Sequence, residues 1–140
     1  MNFRLSKKRH LRLGHKGENL ACRLLKEKNY DILCRNYKVK SGEIDIVARD
    51  GGILVFTEVK TMRYHPLARP AANLKTSQKQ RIVHAAQNYL RAIGNPDVTY
   101  RFDLIEVVLS TWRIHSIRHW QEHFSSRDGY NREFRDYDYT

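Results

Sequence analysis

Two carboxylates and a lysine, Asp45, Glu58 and Lys60, are the most reactive set this chain can gather on one face of a sheet. They fall in Gly42–Lys60, which reads as two strands joined by a tight turn. In residues 43–49, Ile44, Ile46 and Ala48 alternate with Glu43, Asp45 and Val47. Residues 53–60 are rich in β-branched and aromatic types, the composition of a strand covered on both faces. Asp50-Gly51-Gly52 between them is a hairpin signal, because tight turns need residues that tolerate positive φ. With Gly51-Gly52 as the turn, Asp50 faces Ile53, Asp45 faces Glu58 and Glu43 faces Lys60. With Asp50-Gly51 as the turn, Asp45 faces Phe56 and keeps to the same side as Glu58. Glu58 and Lys60, two apart on one strand, share a face.

Directly paired carboxylates stand roughly 4.5–5.5 Å apart at Cβ and repel. In so apolar a strand that arrangement calls for a cation. Mg²⁺ accepts oxygens from two or three carboxylates and completes its shell with waters and phosphate oxygens. Lys60 can orient a water or offset the charge of a phosphate. The competing reading makes the same side chains the wet face of a hairpin, laced by salt bridges. The apolar run Ile53–Val59 weighs against such an exposed position.

The flanking segments must hold that hairpin. Residues 16–29 read as a helix with Leu20, Ala21, Leu24 and Leu25 on one stripe and Lys26 and Lys28 near the C-terminal end. Glu18 lies in its first turn at the edge of the stripe, able to lean toward the sheet or simply to serve the helix dipole. Asp31–Tyr37 reads as a strand, and Lys38–Ser41 as a basic connection into the hairpin. Arg35, Lys38 and Lys40 could line a phosphate path or be solvated. Thr61–Lys75, with two prolines, reads as a loop. Residues 76–93 read as a second helix, capped by Thr76 or Ser77, with Ile82, Val83, Ala86, Tyr89, Leu90 and Ile93 inward and Gly94-Asn95-Pro96 as its stop. Lys79 and Gln80 in its first turn could reach a phosphate near the sheet, or face water. A strand is expected within Val98–Leu109 and a short one over Trp112–Ile117. The division is a basic N-terminal arm over 1–15, one domain over 16–124, and a flexible tail over 125–140.

The 140 residues, 41% hydrophobic and 11% aromatic, suit one core. Twenty-six Lys and Arg against 15 Asp and Glu give a formal charge of +11. That excess favours polyanions, without separating DNA from RNA. No apolar run approaches the roughly 20 residues that cross a bilayer, so no membrane partner is expected. The N-terminus lacks the apolar segment of a secretion signal. Cys22 and Cys34 have no metal or redox spacing and read as small fillers, which fits the cytoplasm.

Asp45 followed by Glu58-Val59-Lys60 at the end of an apolar strand resembles the PD-(D/E)XK motif of the restriction-endonuclease-like superfamily. Gly17-Glu18-Asn19-Leu20-Ala21, Arg35-Asn36-Tyr37, Gly42 to Ala48, Leu54 to Lys60, Lys79-Gln80-Arg81 and Arg101-Phe102-Asp103 together resemble the bacterial YraN family, of uncharacterised function and similar to archaeal Holliday junction resolvases. The motif proline is absent and Ile44 precedes Asp45, as in the YraN-like pattern. The resemblance implies an α/β, restriction-endonuclease-like fold: a central mixed sheet flanked by helices, core order αβββαβ. It implies a metal-dependent endonuclease acting on DNA, more than RNA, with branched or structured DNA among the candidate substrates. Mg²⁺ or Mn²⁺ would sit on Asp45, Glu58 and Glu18, Lys60 would be catalytic, and Lys79 and Gln80 would bind nucleic acid. Symmetric cutting as in the resolvases implies a homodimer. The same fold used as a non-cleaving nucleic-acid binder is the alternative. Asp103 has no assigned chemistry, and pairing with Arg101 or a nearby lysine is its expected role.

Overall fold

A computed structural model describes residues 3–67, 74–111 and 113–129. The chain runs α1 (Phe3–Glu27), β1 (Asp31–Val39), β2 (Gly42–Asp50), β3 (Ile53–Arg63), α2 (Thr76–Ala92), β4 (Thr99–Leu109), β5 (Ile114–Phe124) and a 3-10 turn at Ser126–Gly129. The strands form one sheet in sequence order, antiparallel throughout except for the parallel pair β3–β4. A parallel pair needs a crossover, and α2 supplies it.

Alternation along β3 separates two cores. Leu54 and Phe56 pack with Val47, Phe102, Leu104 and the α2 residues Ile82, Val83 and Ala86. Val55 packs with Ala48, Ile105, Val107 and the α1 residues Ala21, Cys22 and Leu25. The helices therefore cover opposite faces, which is why the central strands are apolar throughout. The fold class and element order expected from the sequence are those observed. Cys22 is buried and Cys34 half-buried, both as free thiols.

Several boundaries differ. The first helix starts at Phe3, so most of the segment expected as a flexible arm continues it. Arg, Lys and Leu are good helix formers, and the run contains no breaker before Gly14. The hairpin strand β3 extends to Arg63, three residues into the expected loop, because β4 pairs with it to Leu109. Helix α2 is headed by Lys75, whose N–H donates to Gln78 Oε1 at 3.1 Å, and not by Thr76 or Ser77. Ile93 is exposed and Ala85 takes a place in the core. The last strand covers Ile114–Phe124, longer than expected, because β4 templates it. Two extra residues bulge out between Trp120 and Phe124, with Glu122 at φ 49. Of the expected tail, residues 130–140 lie outside the described residues, as do Pro70 and Trp112.

Two glycines set how closely the helices approach. A Cβ on Gly42 would meet the Arg81 backbone oxygen of α2 at 1.8 Å, and one on Gly17 would meet Thr61 Oγ1 at 1.8 Å. A side chain can turn aside, whereas a helix carbonyl cannot move without the helix. Gly42→Ala is therefore expected to cost about 3 kcal/mol and Gly17→Ala about 1–2 kcal/mol. Urea unfolding of both variants checks the order. Equal losses would show that α2 yields as readily as one side chain.

Candidate active site

The β2–β3 ladder runs from Asp50↔Ile53 to Ile46↔Thr57 and stops. The turn is therefore Gly51-Gly52, with Gly51 at φ 58. One pair further on, Asp45 would face Glu58. Instead Asp45 Oδ2 accepts the Val59 N–H at 2.8 Å, taking the place of a strand carbonyl. The strands part here, and the acids meet in the gap.

The parting also breaks the expected alternation. Ile44 packs on the α2 side together with Val47, while Ile46 and Ala48 pack on the α1 side. On β1 the same level is marked by Asn36 at φ 52, between the pairs Arg35↔Ile46 and Tyr37↔Ile44. Strict period-2 reading fails there because a side chain has replaced a ladder bond.

The carboxyl groups of Asp45 and Glu58 lie close enough to share a proton. One of them must then carry a proton. Burial, then the neighbouring charge of Asp45 and their shared proton, push Glu58 up to about 9, with Glu43 adding and Lys60 opposing. Burial pushes Asp45 up to about 6, against the lowering effect of its bond to Val59 and of the proton it shares with Glu58; Glu18 and Glu43 push it further up. Two acids in contact away from water cannot both ionise without a counter-charge.

Glu18 stands on α1, in the opposite layer, and acts on Asp45 through its charge. It follows Gly17, whose missing side chain lets α1 sit against Thr61 on β3. Arg35 Nη2 lies 3.8 Å from Glu18 Oε2, and that oxygen is buried without a hydrogen bond. Arg35 also donates to Asn19 Oδ1 at 2.8 Å, and Lys38 pairs with Glu43 at 3.9 Å. Of the three residues considered for a phosphate path, Arg35 and Lys38 are thus engaged with nearby side chains, and Lys40 is exposed.

Lys60 is half-buried and shares the α2 side with Glu58 by alternation. Its register partner on β4 is Glu106. Glu106 is 1% exposed, and its Oε2 has no hydrogen-bond partner. The sequence signal was available: it is the lone acid in the apolar run Leu104–Leu109. Lys79 lies 5.9 Å from the centre of the Phe124 ring. Burial, then Lys79 and Lys60, push the His123 imidazole down. The small cleft of about 100 Å³ beside Glu58 is lined by Glu43, Gln78, Arg81 and Ile82. The first turn of α2 does face the acids, but through Gln78 and Arg81, one place to either side of the expected Lys79-Gln80. Gln80 is half-buried. Nothing in the local sequence marks His123 or Gln78, because their places depend on how α2 packs; Arg81 falls in the Lys79-Gln80-Arg81 block, but the sequence assigns it no role.

Among the described residues no three His, Cys, Asp or Glu side chains are already gathered as a complete ligand set. Two touching carboxylates with a third acid within electrostatic reach nonetheless fit a hard divalent cation, which takes oxygen donors and keeps several waters. The excess of buried negative charge, balanced here by a proton, is the feature such an ion would relieve.

A five-stranded mixed sheet with helices on both faces, in the order αβββαβ plus an edge strand, defines a restriction-endonuclease-like fold. Residues 17–107 match the model of "Uncharacterised protein family UPF0102", and the chain belongs to that family, also called YraN. It is 40% identical over 115 residues to a UPF0102 protein of Chlorobaculum parvum, covering 81% of this chain and 89% of that one. A UPF0102 protein of Symbiobacterium thermophilum is 40% identical over 96 residues, 69% of this chain and 81% of the relative. No described helix is long and apolar enough to cross a membrane.

Proposed function

We propose that the protein is a metal-dependent endonuclease that hydrolyses phosphodiester bonds in DNA, with branched or otherwise structured DNA as its substrate class. The observation that carries this reading is the contact between Asp45 and Glu58 in the gap between parted strands, with Lys60 on the same strand as Glu58. Asp45 and Glu58 would hold Mg²⁺ or Mn²⁺, with Glu18 completing the set directly or through water. When bound, the ion lowers the pKa of a water and polarises the scissile phosphate. Val59 N–H fixes the Asp45 carboxylate, so one ligand is oriented before any ion arrives. Lys60 offsets charge growing on the phosphate and orients the water. Arg81 and Gln78, on the wall beside Glu58, offer donors to a neighbouring phosphate. The net charge of +11 supports capture of the polyanion. Free Cys22 and Cys34 support a reducing compartment, the cytoplasm. Cutting both strands of a junction symmetrically would use two copies of the chain.

The test is a cleavage assay on labelled single-stranded, duplex, flap, splayed and four-way-junction DNA with Mg²⁺, Mn²⁺ or EDTA. Cleavage should need metal, and Lys60→Ala should lower its rate by about 10²–10³ while keeping the metal-induced rise in melting temperature. DNA bound equally with metal or EDTA, and never cut, would instead identify a binding module.

A further inference from the structure

On the α1 side of the sheet, past the acids, lies a second cleft of about 230 Å³. Arg12, Lys16, Arg63, Ser110 and Thr111 line it, with Leu109 among its apolar walls. Three of its lining residues are cations and none is acidic. Arg12 and Lys16 are one turn apart and share a face of α1. Arg63 is the last residue of β3, three beyond Lys60, hence about 10 Å further along the strand. Lys16 stands two residues before Glu18. The cleft thus lies beyond Lys60 toward the end of β3, on the face of the sheet opposite Glu58 and Lys60 and on the side covered by α1, which carries Glu18.

An aromatic platform stands at the same end of the sheet. The Tyr64 and His115 rings stack, with centroids 3.9 Å apart and planes at 26°. Both residues are exposed, and Tyr64 N–H donates to the Leu109 carbonyl at 2.8 Å, which ties the platform to the cleft. A cationic cleft answers any phosphate. A cationic cleft beside an open π-face answers a nucleotide, since bases stack on such faces whatever their identity.

We propose that this cleft is a subsite for a backbone phosphate of an unpaired DNA strand, with Tyr64 and His115 stacking an adjoining base. It rests on the reading of the protein as acting on DNA. A base held in a duplex cannot lie on such a platform, so the subsite favours splayed or flapped ends over continuous duplex.

Binding of a labelled 12-nucleotide single strand, followed by anisotropy in EDTA over a range of salt, tests it without any cleavage. Arg12→Ala/Lys16→Ala/Arg63→Ala should weaken binding at least tenfold. It should also flatten the plot of log affinity against log salt by about 0.7 for each phosphate that is no longer neutralised. The control Arg23→Ala/Lys26→Ala/Arg91→Ala removes equal charge from exposed positions elsewhere and should change affinity less than threefold. Tyr64→Ala should weaken the normal strand and leave an abasic strand of the same length unaffected. Equal losses in the two triple variants, or a Tyr64→Ala effect that does not depend on the bases, overturns the subsite. Absence of cleavage under every metal would remove the nuclease reading and leave these binding results standing. A protein that cuts, yet binds indifferently to changes in the cleft, would keep the nuclease and lose the subsite.

Discussion

At pH 8 in EDTA, Glu58→Gln unfolds at a higher temperature than the parent protein. Glu58 and Asp45 both hold their protons more tightly in the folded chain than their ordinary carboxyl values, with folded values of about 9 and about 6. Below pH of about 3 both are protonated in the folded and unfolded chain alike, and they contribute no pH dependence. As pH rises toward 9 the unfolded chain has released protons that the folded chain retains. Stability then falls with pH, because the slope follows protons bound unfolded minus protons bound folded. The amide has nothing to ionise and keeps a similar shape. Allowing for the partial opening of the site to water, the gain at pH 8 is on the order of 2–4 kcal/mol, or about 5–10 °C in melting temperature. Asp45→Asn should gain less, since its group is raised less and its bond to Val59 N–H already favours the charged form. Adding Mg²⁺ should raise the parent's melting temperature, increasingly with pH, and leave Glu58→Gln almost unmoved. Thermal scans from pH 4 to 9 with EDTA or Mg²⁺ read all of this. A variant that melts below the parent at pH 8 would show that the two acids are not a destabilising pair.

The largest loss of stability is expected on β4, at the register partner of Thr57, the residue before Glu58. Asp103 is fully buried and accepts from Arg101 Nε at 3.0 Å, His119 Nε2 at 2.7 Å and Glu122 N–H at 3.1 Å. The expected pairing with Arg101 is the one observed. Lys28 Nζ lies 2.8 Å from His119 Nδ1 and donates to it, so the imidazole Nε2–H is the one offered to Asp103. Arg101 also binds Asp50 and the Tyr30 hydroxyl, tying β4 to the hairpin end and to the residue before β1. Asp103→Ala strands a buried guanidinium and an imidazole, and should cost about 3–5 kcal/mol. Replacing both partners, Asp103→Leu with Arg101→Met, should cost less than the sum of the single changes. By contrast Arg49→Ala, which removes an exposed 2.6 Å bridge to Asp31, should cost about 0.5 kcal/mol. Urea unfolding of the set decides, and equal losses at Arg49 and Asp103 would contradict a role for burial.

The hairpin was legible in the sequence because every signal for it is local. A Gly51-Gly52 turn fixes its own register, and alternation on either side fixes which residues share a face. Asp45, Glu58 and Lys60 could therefore be grouped from sequence position alone, and the apolar strand composition correctly implied cover on both faces. Asp103's pairing was readable for the same reason, with Arg101 two residues away on the same strand. The sequence did not reveal the parting of β2 and β3, since that depends on Asp45 capturing the Val59 N–H. Nor did it show Glu106 beside Lys60, because no turn sets the register of a parallel pair joined through a helix. Gln78 and Arg81 reach the acids, and Arg12 and Lys16 meet Arg63, only through the seating of two helices that Gly17 and Gly42 allow to come close. Local rules determine which side chains share a face; the packing distance between layers determines which faces meet.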